Sequence, residues 1–239
     1  LLSAMSKPKR FHNTDPTLRI GGFPWYEMVW RSARGHFTPP PPKDGFPAFI
    51  KKWSMTPDHA LLAQRHEAPV LTWLGHVTLL LQVAGLNILT DPTLCGFAGP
   101  HGQVGARRRV PPSLPAEALP PIDLVLISHN HYDHLDYDTL TRMGRAGQQP
   151  RFLVPLGLKA WFDQQGIGQV EEMDWWDQRQ IGALTLTYTP AQHWSKRTPF
   201  DTNQSLWGGF CIEWARKTAP WRFLFPGDTG YSNDFKEIR

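Results

Sequence analysis

Thiols are nearly absent from this chain: its 239 residues include only two cysteines, Cys95 and Cys211. That excludes a disulfide framework, makes a reducing compartment the default, and leaves both residues as free buried thiols. Long apolar runs are missing as well. No stretch approaches the ~18 residues a membrane span needs, and the apolar part of the opening "LLSAMSKPKRF" is too short for a signal peptide. Charge of one sign is also scarce, with a net +4 and a pI near 9.2. The basic residues are scattered, not massed in a stripe, which argues against a nucleic-acid partner. No internal repeat is visible. These absences describe a soluble cytoplasmic protein, able to touch a membrane peripherally without crossing it.

What the chain does have is apolar content: 41% hydrophobic residues and 11 tryptophans, ample for a core. Residues 1–66 lack periodicity and contain the proline run of "GHFTPPPPKDGFP", which cannot enter a helix. They read as an irregular arm wrapped on a core, with helical pieces near Tyr26–Arg31 and His59–Arg65. Trp25, Trp30 and Trp53 would be buried there. From residue 67 the pattern becomes that of a compact domain. Strands are expected at Val70–Leu74, Thr78–Val83 and Asn87–Thr90, with a hairpin turn at Ala84-Gly85. Further strands are expected at 122–129, 151–155, 184–190, 205–214 and 222–228, with helices at Tyr137–Gly147 and 156–167. The order implies an α/β (α+β) fold with a mixed sheet. The Pro/Gly-rich segment 97–121 reads as a long irregular loop.

The chemistry concentrates in "LISHNHYDHLD". His129, His131, Asp133 and His134 follow a buried strand, so they stand at its C-terminal edge, where open α/β sheets bind ligands. In extended chain, residues i and i+2 point the same way, so His129 and His131 can grip one ion, leaving Asp133 and His134 for a second. Imidazoles and carboxylates without thiolates suit zinc, with iron or manganese as alternatives. His193 in "PAQHWS" and Asp228 in "FPGDTGY" follow other apolar strands and take the same topological position. Asp228 could bridge two cations, and two ions about 3.5–4 Å apart would hold an ionised water as nucleophile. Asp133 and Asp228 are therefore the candidate catalytic carboxylates.

The motif H-x-H-x-D-H, a later His and a later Gly-Asp resemble the metallo-β-lactamase-fold superfamily of dinuclear metallohydrolases. More narrowly, "TWLGHVTLLLQVAGLNILTDPTL", "ISHNHYDHLD", "QHWSKRTPFDTNQSLWGGF" and "FPGDTGY" resemble the branch of N-acylphosphatidylethanolamine-hydrolysing phospholipases D and their bacterial relatives. The resemblance covers roughly residues 40 to 231. It implies an αββα sandwich with two zinc ions: His129, His131 and His193 on the first, Asp133 and His134 on the second, Asp228 between them. It also implies phospholipase D-type cleavage of a phospholipid phosphodiester by a metal-bridging hydroxide. Lactones, sugar or cyclic phosphodiesters, and a non-catalytic metal-binding role remain alternatives. The family pattern has a further His after the Gly-Asp, and none follows Asp228 here. The chain therefore reads as a fragment lacking the C-terminal part of the fold, with a weakened second site.

Three smaller features complete the reading. His76, in the "LGHVT" turn, resembles a position near the metal site but carries no implied ligand role. Asp91 either orients a ligand histidine or forms an ordinary Asp-Pro turn, and Asp136 caps the helix after the motif. Arg107, Arg108 and Arg109 read as a solvated basic run, with attraction of a phosphate headgroup or an anionic membrane as the alternative.

Overall fold

A computed structural model describes residues 10–17, 26, 30, 34, 40–216 and 219–238. Trp25 and most of the helical piece expected at Tyr26–Arg31 lie outside the described residues.

The β-branched and leucine-rich runs from Val70 onward form two packed sheets. The first comprises β1 (Val70–Gly75), β2 (Thr78–Val83), β3 (Leu86–Thr90), β6 (Leu124–Leu126), β7 (Arg151–Pro155) and β8 (Val170–Met173). Between β3 and β6, a two-stranded ribbon of β4 (Phe97–Ala98) and β5 (Ala106–Arg107) stands apart. The strands β1 to β3 pair antiparallel. Their second hairpin turns on Ala84 and Gly85 (φ 51° and 72°), the two left-handed residues a twisted hairpin prefers. The strands β3, β6, β7 and β8 run parallel. Parallel neighbours need crossovers: α3 (Tyr137–Arg145) supplies that from β6 to β7 and α4 (Lys159–Gln164) that from β7 to β8, while the long segment holding the ribbon joins β3 to β6. Two short helices precede the sheet, α1 (Gly45–Trp53) and α2 (His59–Ala63). The second sheet is antiparallel, in the order β12 (Trp221–Phe225), β11 (Gly209–Trp214), β10 (Leu184–Thr189), β9 (Gln178–Ile181).

The alternation of side chains splits the core. Leu124 and Leu126 face the second sheet, where they meet Leu186, Tyr188, Phe210 and Ile212. Val125 and Ile127 face the other way and pack with Leu140, Met143 and Phe162 of α3 and α4. The central strands β6 and β7 are thus buried on both faces, which is why they read as continuous apolar runs. The described residues build three layers of the expected sandwich: helices, sheet, sheet. The arm reaches this core at Phe11, which packs against the cluster between the sheets.

Several expectations need correction. Trp53 and Trp30 are exposed, at 56% and 49%. Each ring is instead covered by a cation, Lys52 over Trp53 and Arg34 over Trp30. The strand expected at 122–129 has a three-residue ladder. Beyond Leu126 the Ser128 amide turns to the Asp91 carboxylate. Residues 205–208 are not strand, because the amides of Leu206 and Gly208 bond to Leu156 and Ser128 across the sheet ends. The helix expected over 156–167 is cut to α4, since Gly157 (φ 87°) breaks the chain direction first. The loop 97–121 contains the β4–β5 ribbon and two 3₁₀ turns. Arg108 is not solvated: it donates to the carbonyls of Thr93 and Cys95. Cys95 is buried as expected, whereas Cys211 is only partly so. The polar strands β8 and β9 and the helix α1 went unrecognised.

Candidate metal centre

Four chain segments deliver the site, all at one edge of the sandwich. They are the loop after β6, the loop after β10, the turn after β12 and the residue after β3. Tight local bonding shapes the first. The amides of His134 and Leu135 both donate to the His131 carbonyl, turning the chain back on itself. Arg197 clamps this turn from outside, donating to the carbonyls of Asn130 (3.0 Å) and Leu135 (2.7 Å). Its guanidinium lies 4.1 Å from the Tyr132 ring centroid. Asp136 caps α3, accepting from the Asp138 amide and the Thr139 hydroxyl.

The structure brings together all six residues singled out by sequence. His129 Nε2 lies 2.8 Å from His131 Nδ1, and His193 Nε2 lies 3.1 Å from the same atom. Three ring nitrogens thus converge, a little closer than the ~3.3 Å between ligands on a tetrahedral ion with bonds near 2.0–2.1 Å. Burial, and then the neighbouring imidazoles, push His131 down to about 4 and His129 well below its usual value. Burial likewise takes His193 to about 4. All three rings are therefore neutral at pH 7, with lone pairs available.

Beside this trio sit Asp228, His134 and Asp133. Asp228 spans the two groups: Oδ2 is 3.7 Å from His193 Nε2, and Oδ1 is 3.3 Å from His134 Nε2. Asp133 Oδ2 lies 4.0 Å from His134 Nε2 and 3.3 Å from Nε2 of His76. Burial opposes a charge on Asp133, but the His76 hydrogen bond and the His134 charge outweigh it and hold the carboxyl below its usual range. Burial also opposes a charge on His134, yet Asp228 and Asp91 push it up to about 10. A cation taking Nε2 would displace that proton.

Asp91 is completely buried and organises two of the histidines from behind. Its carboxylate accepts from the Ser128 amide (2.7 Å), from the Ser128 hydroxyl (2.5 Å) and from His134 Nδ1 (2.7 Å). With its own proton committed to Asp91, Ser128 Oγ accepts from His129 Nδ1 at 2.9 Å. Both rings therefore present Nε2 to the centre, the tautomer that an outer carboxylate imposes on a metal-ligating imidazole.

The residues fit a metal centre on two counts. Nε2 of His134 is buried and has no well-aligned hydrogen bond, only a 3.3 Å contact with the Asp228 carboxylate, although a buried polar atom normally has a partner. Donors also gather within 4.8 Å of one another in three groups: His129, His131 and His193; His76, Asp133 and His134; and Asp91, His129 and His134. Sequence reading missed the residues that hold this frame. Asn13 Oδ1 accepts from the His193 amide and from Trp207 Nε1 (3.0 and 2.9 Å), and the Tyr188 hydroxyl donates to the Ser128 carbonyl. Trp194 sets its ring 4.4 Å from that of His131. Trp194 sits beside a ligand candidate in "QHWS", which is a usable signal; Asn13 and Tyr188 carry none.

Known proteins resemble this chain in sequence and fold. Residues 86–239 match the family model described as a β-lactamase superfamily domain. The chain is 39% identical over 177 residues to N-acyl-phosphatidylethanolamine-hydrolyzing phospholipase D 1 of Caenorhabditis elegans, covering 70% of this chain and 49% of that protein. It is 36% identical over 167 residues to the mitochondrial enzyme of that name from Saccharomyces cerevisiae, covering 68% and 35%. The chain thus spans about half or less of the length of these relatives. Among solved structures, a possible metal-dependent hydrolase from Veillonella parvula superposes with a TM-score of 0.56 at 19% identity, over 72% of this chain and 67% of that one. An isothiocyanate hydrolase from Delia radicum gut bacteria gives 0.54 at 23%, over 70% and 66%. Both likenesses concern the fold.

Proposed function

The chain belongs to the β-lactamase superfamily, and from that premise we propose that it is a metal-dependent hydrolase of phosphodiesters, cleaving N-acyl phospholipids in the manner of a phospholipase D. Two zinc ions are the cofactors that its imidazoles and carboxylates suit best. When bound, such ions supply Lewis acidity to a phosphoryl oxygen and its attacking water. His129, His131 and His193 would hold one ion, Asp133 and His134 the other, with Asp228 shared. Asp91 keeps the rings of His129 and His134 in the tautomer that faces the centre.

The observation that carries the lipid reading is the cavity beside the site. It has a volume of about 1030 Å³ and opens directly on Asp133 and His76. Its walls are mainly apolar, with Trp53, Met55, Trp73 and Phe97, while Arg107 and Arg109 bring positive charge. That is a fit for an anionic molecule with a long hydrocarbon part. Lys52, Trp53 and Met55 at the same cavity also suit contact with a lipid surface, cations beside amphipathic rings. No helix among the described residues is long and apolar enough to cross a membrane.

The test is hydrolysis of N-acyl phosphatidylethanolamine in mixed micelles, followed by mass spectrometry. Release of the N-acylethanolamine and phosphatidic acid, abolished by chelator and by Asp228→Asn, is the expected result. Turnover of bis(p-nitrophenyl) phosphate alone would replace the lipid reading with a smaller diester. Turnover of neither, by zinc-loaded protein, would leave a metal-binding protein without this activity.

A further inference from the structure

The three consecutive arginines of "GARRRV" are put to two different uses. Arg108 anchors its segment. Its amide donates to the Gly96 carbonyl at 2.8 Å, its Nε to the Cys95 carbonyl at 3.0 Å and its Nη2 to the Thr93 carbonyl. Further on, the Ser113 amide donates to the Leu74 carbonyl at 3.0 Å and closes the segment against β1. Arg107 and Arg109 flank this anchor and share none of its bonds. Among the described residues, neither guanidinium meets a carboxylate or a carbonyl. Arg109 is half-buried and held by a ring instead: its Cζ lies 5.0 Å from the centroid of Phe46 in α1, within cation–π range. That contact engages the face of the guanidinium and leaves its in-plane N–H donors free.

Both side chains line the large cavity, and Lys52 joins them there. Asp133, at the metal centre, is the sole carboxylate among the residues of that lining. The cations therefore have no counter-charge in the wall that carries them. An unpaired charge beside apolar surface is poorly compensated, and fixed cations in a concave wall focus their field on an anion that enters. A solvated basic run would need neither the ring beneath Arg109 nor the concave placement. We propose that Arg107 and Arg109 form an anion subsite in the cavity wall. It takes the phosphate of an amphiphile whose chain occupies the apolar part, and Arg109 is its specificity-determining residue. The planar fork of a guanidinium matches two phosphate oxygens. Phe46 orients Arg109 before the ligand arrives, which lowers the cost of ordering it. The subsite selects phosphodiesters over lactones and other uncharged esters that the same metal centre could attack. This inference rests on reading the cavity as the site of the substrate's hydrocarbon part, and it names the residues that read the charge.

The experiment is calorimetric titration of the zinc-loaded protein with decyl phosphate, decyl glucoside and inorganic phosphate, the first two below their micelle concentrations. Decyl phosphate should bind at least about 10-fold more tightly than decyl glucoside, as charge-assisted hydrogen bonds imply. Zinc itself attracts phosphate, so the decisive quantity is how far that preference changes on substitution. Arg109→Gln should remove most of it and leave the affinity for decyl glucoside unchanged, which also verifies the fold of the variant. Phe46→Ala should remove part of it. A preference that survives the double change Arg107→Gln and Arg109→Gln would overturn the proposal. Equal loss of both amphiphiles in Arg109→Gln would overturn it in favour of a structural role. Inorganic phosphate separates a headgroup from a free anion: it should bind weakly, and Arg109-dependent binding as tight as that of decyl phosphate would overturn the amphiphile as ligand. Failure of both amphiphiles to bind the unsubstituted protein would overturn the subsite together with the hydrocarbon reading of the cavity. Lack of N-acyl phosphatidylethanolamine hydrolysis by a protein whose anion preference depends on Arg109 would touch only the proposed activity.

Discussion

Asp91 is the residue on which the orientation of two histidines depends. Replacing it by asparagine keeps the volume but exchanges an acceptor-only carboxylate for an amide. One of its three donors, the Ser128 amide, the Ser128 hydroxyl or His134 Nδ1, must then face an N–H. Loss of an outer partner of this type costs about 10–100-fold in metal affinity, and that is the drop expected for Asp91→Asn in a metal-buffered titration. A different residue-level outcome concerns the thiols. Burial, reinforced by Asp136, pushes Cys95 up to about 12, and burial raises Cys211 too. The thiolate is the reactive form, so at pH 8 neither cysteine should titrate rapidly with a disulfide reagent until denaturant is added. At this scale the sequence was legible where ligand candidates cluster within six positions, 129 to 134. It was silent where partners are remote: Asn13 meets the His193 amide from 180 residues away, and no local pattern announces such a bond.

The elements differ in legibility for a physical reason. The strands β2 (Thr78–Val83) and β7 (Arg151–Pro155) carry apolar residues on both faces and are recovered with their observed boundaries. β8, with the sequence VEEM, and β9, with QRQI, are the outer strands of their sheets and are half solvated, so their polar residues hide the period. The turn after β12 is the element most sensitive to a single change. Gly227 sits at φ 61°, and a Cβ there would lie 2.6 Å from the Gly208 carbonyl oxygen and 2.7 Å from Ser128 Cβ. Gly227→Ala should therefore cost at least about 2 kcal/mol, a fall of roughly 4–8 °C in Tm by calorimetry. It should also displace Asp228, which the turn aims at His134.

At the scale of the molecule, the arm and the domain meet at the site. Phe11 enters the core between the sheets, and Asn13 ties the arm to both His193 and the buried Trp207. Asn13→Ala leaves the His193 amide without its acceptor, whereas Trp207 Nε1 keeps the Ala191 carbonyl, at a cost of about 1–3 kcal/mol. Hydrogen exchange should show the His193 amide opening faster in that variant. The lipid surface is addressed by a second measurement. Flotation with anionic liposomes should fall when Trp53 and Met55 are both changed to serine, and undiminished binding would remove this face from the reading.

The donors of the centre do not belong to one sheet. His129 and His131 follow β6 of the first, whereas His193 and Asp228 follow β10 and β12 of the second. An ion held among them would rivet the sandwich at its rim, so that prying the layers apart and releasing the ion become one coupled equilibrium. Occupancy at 100 times the dissociation constant would then add about 2.7 kcal/mol against unfolding, and stripping the ion should loosen the rim before the leucine-rich interior gives way.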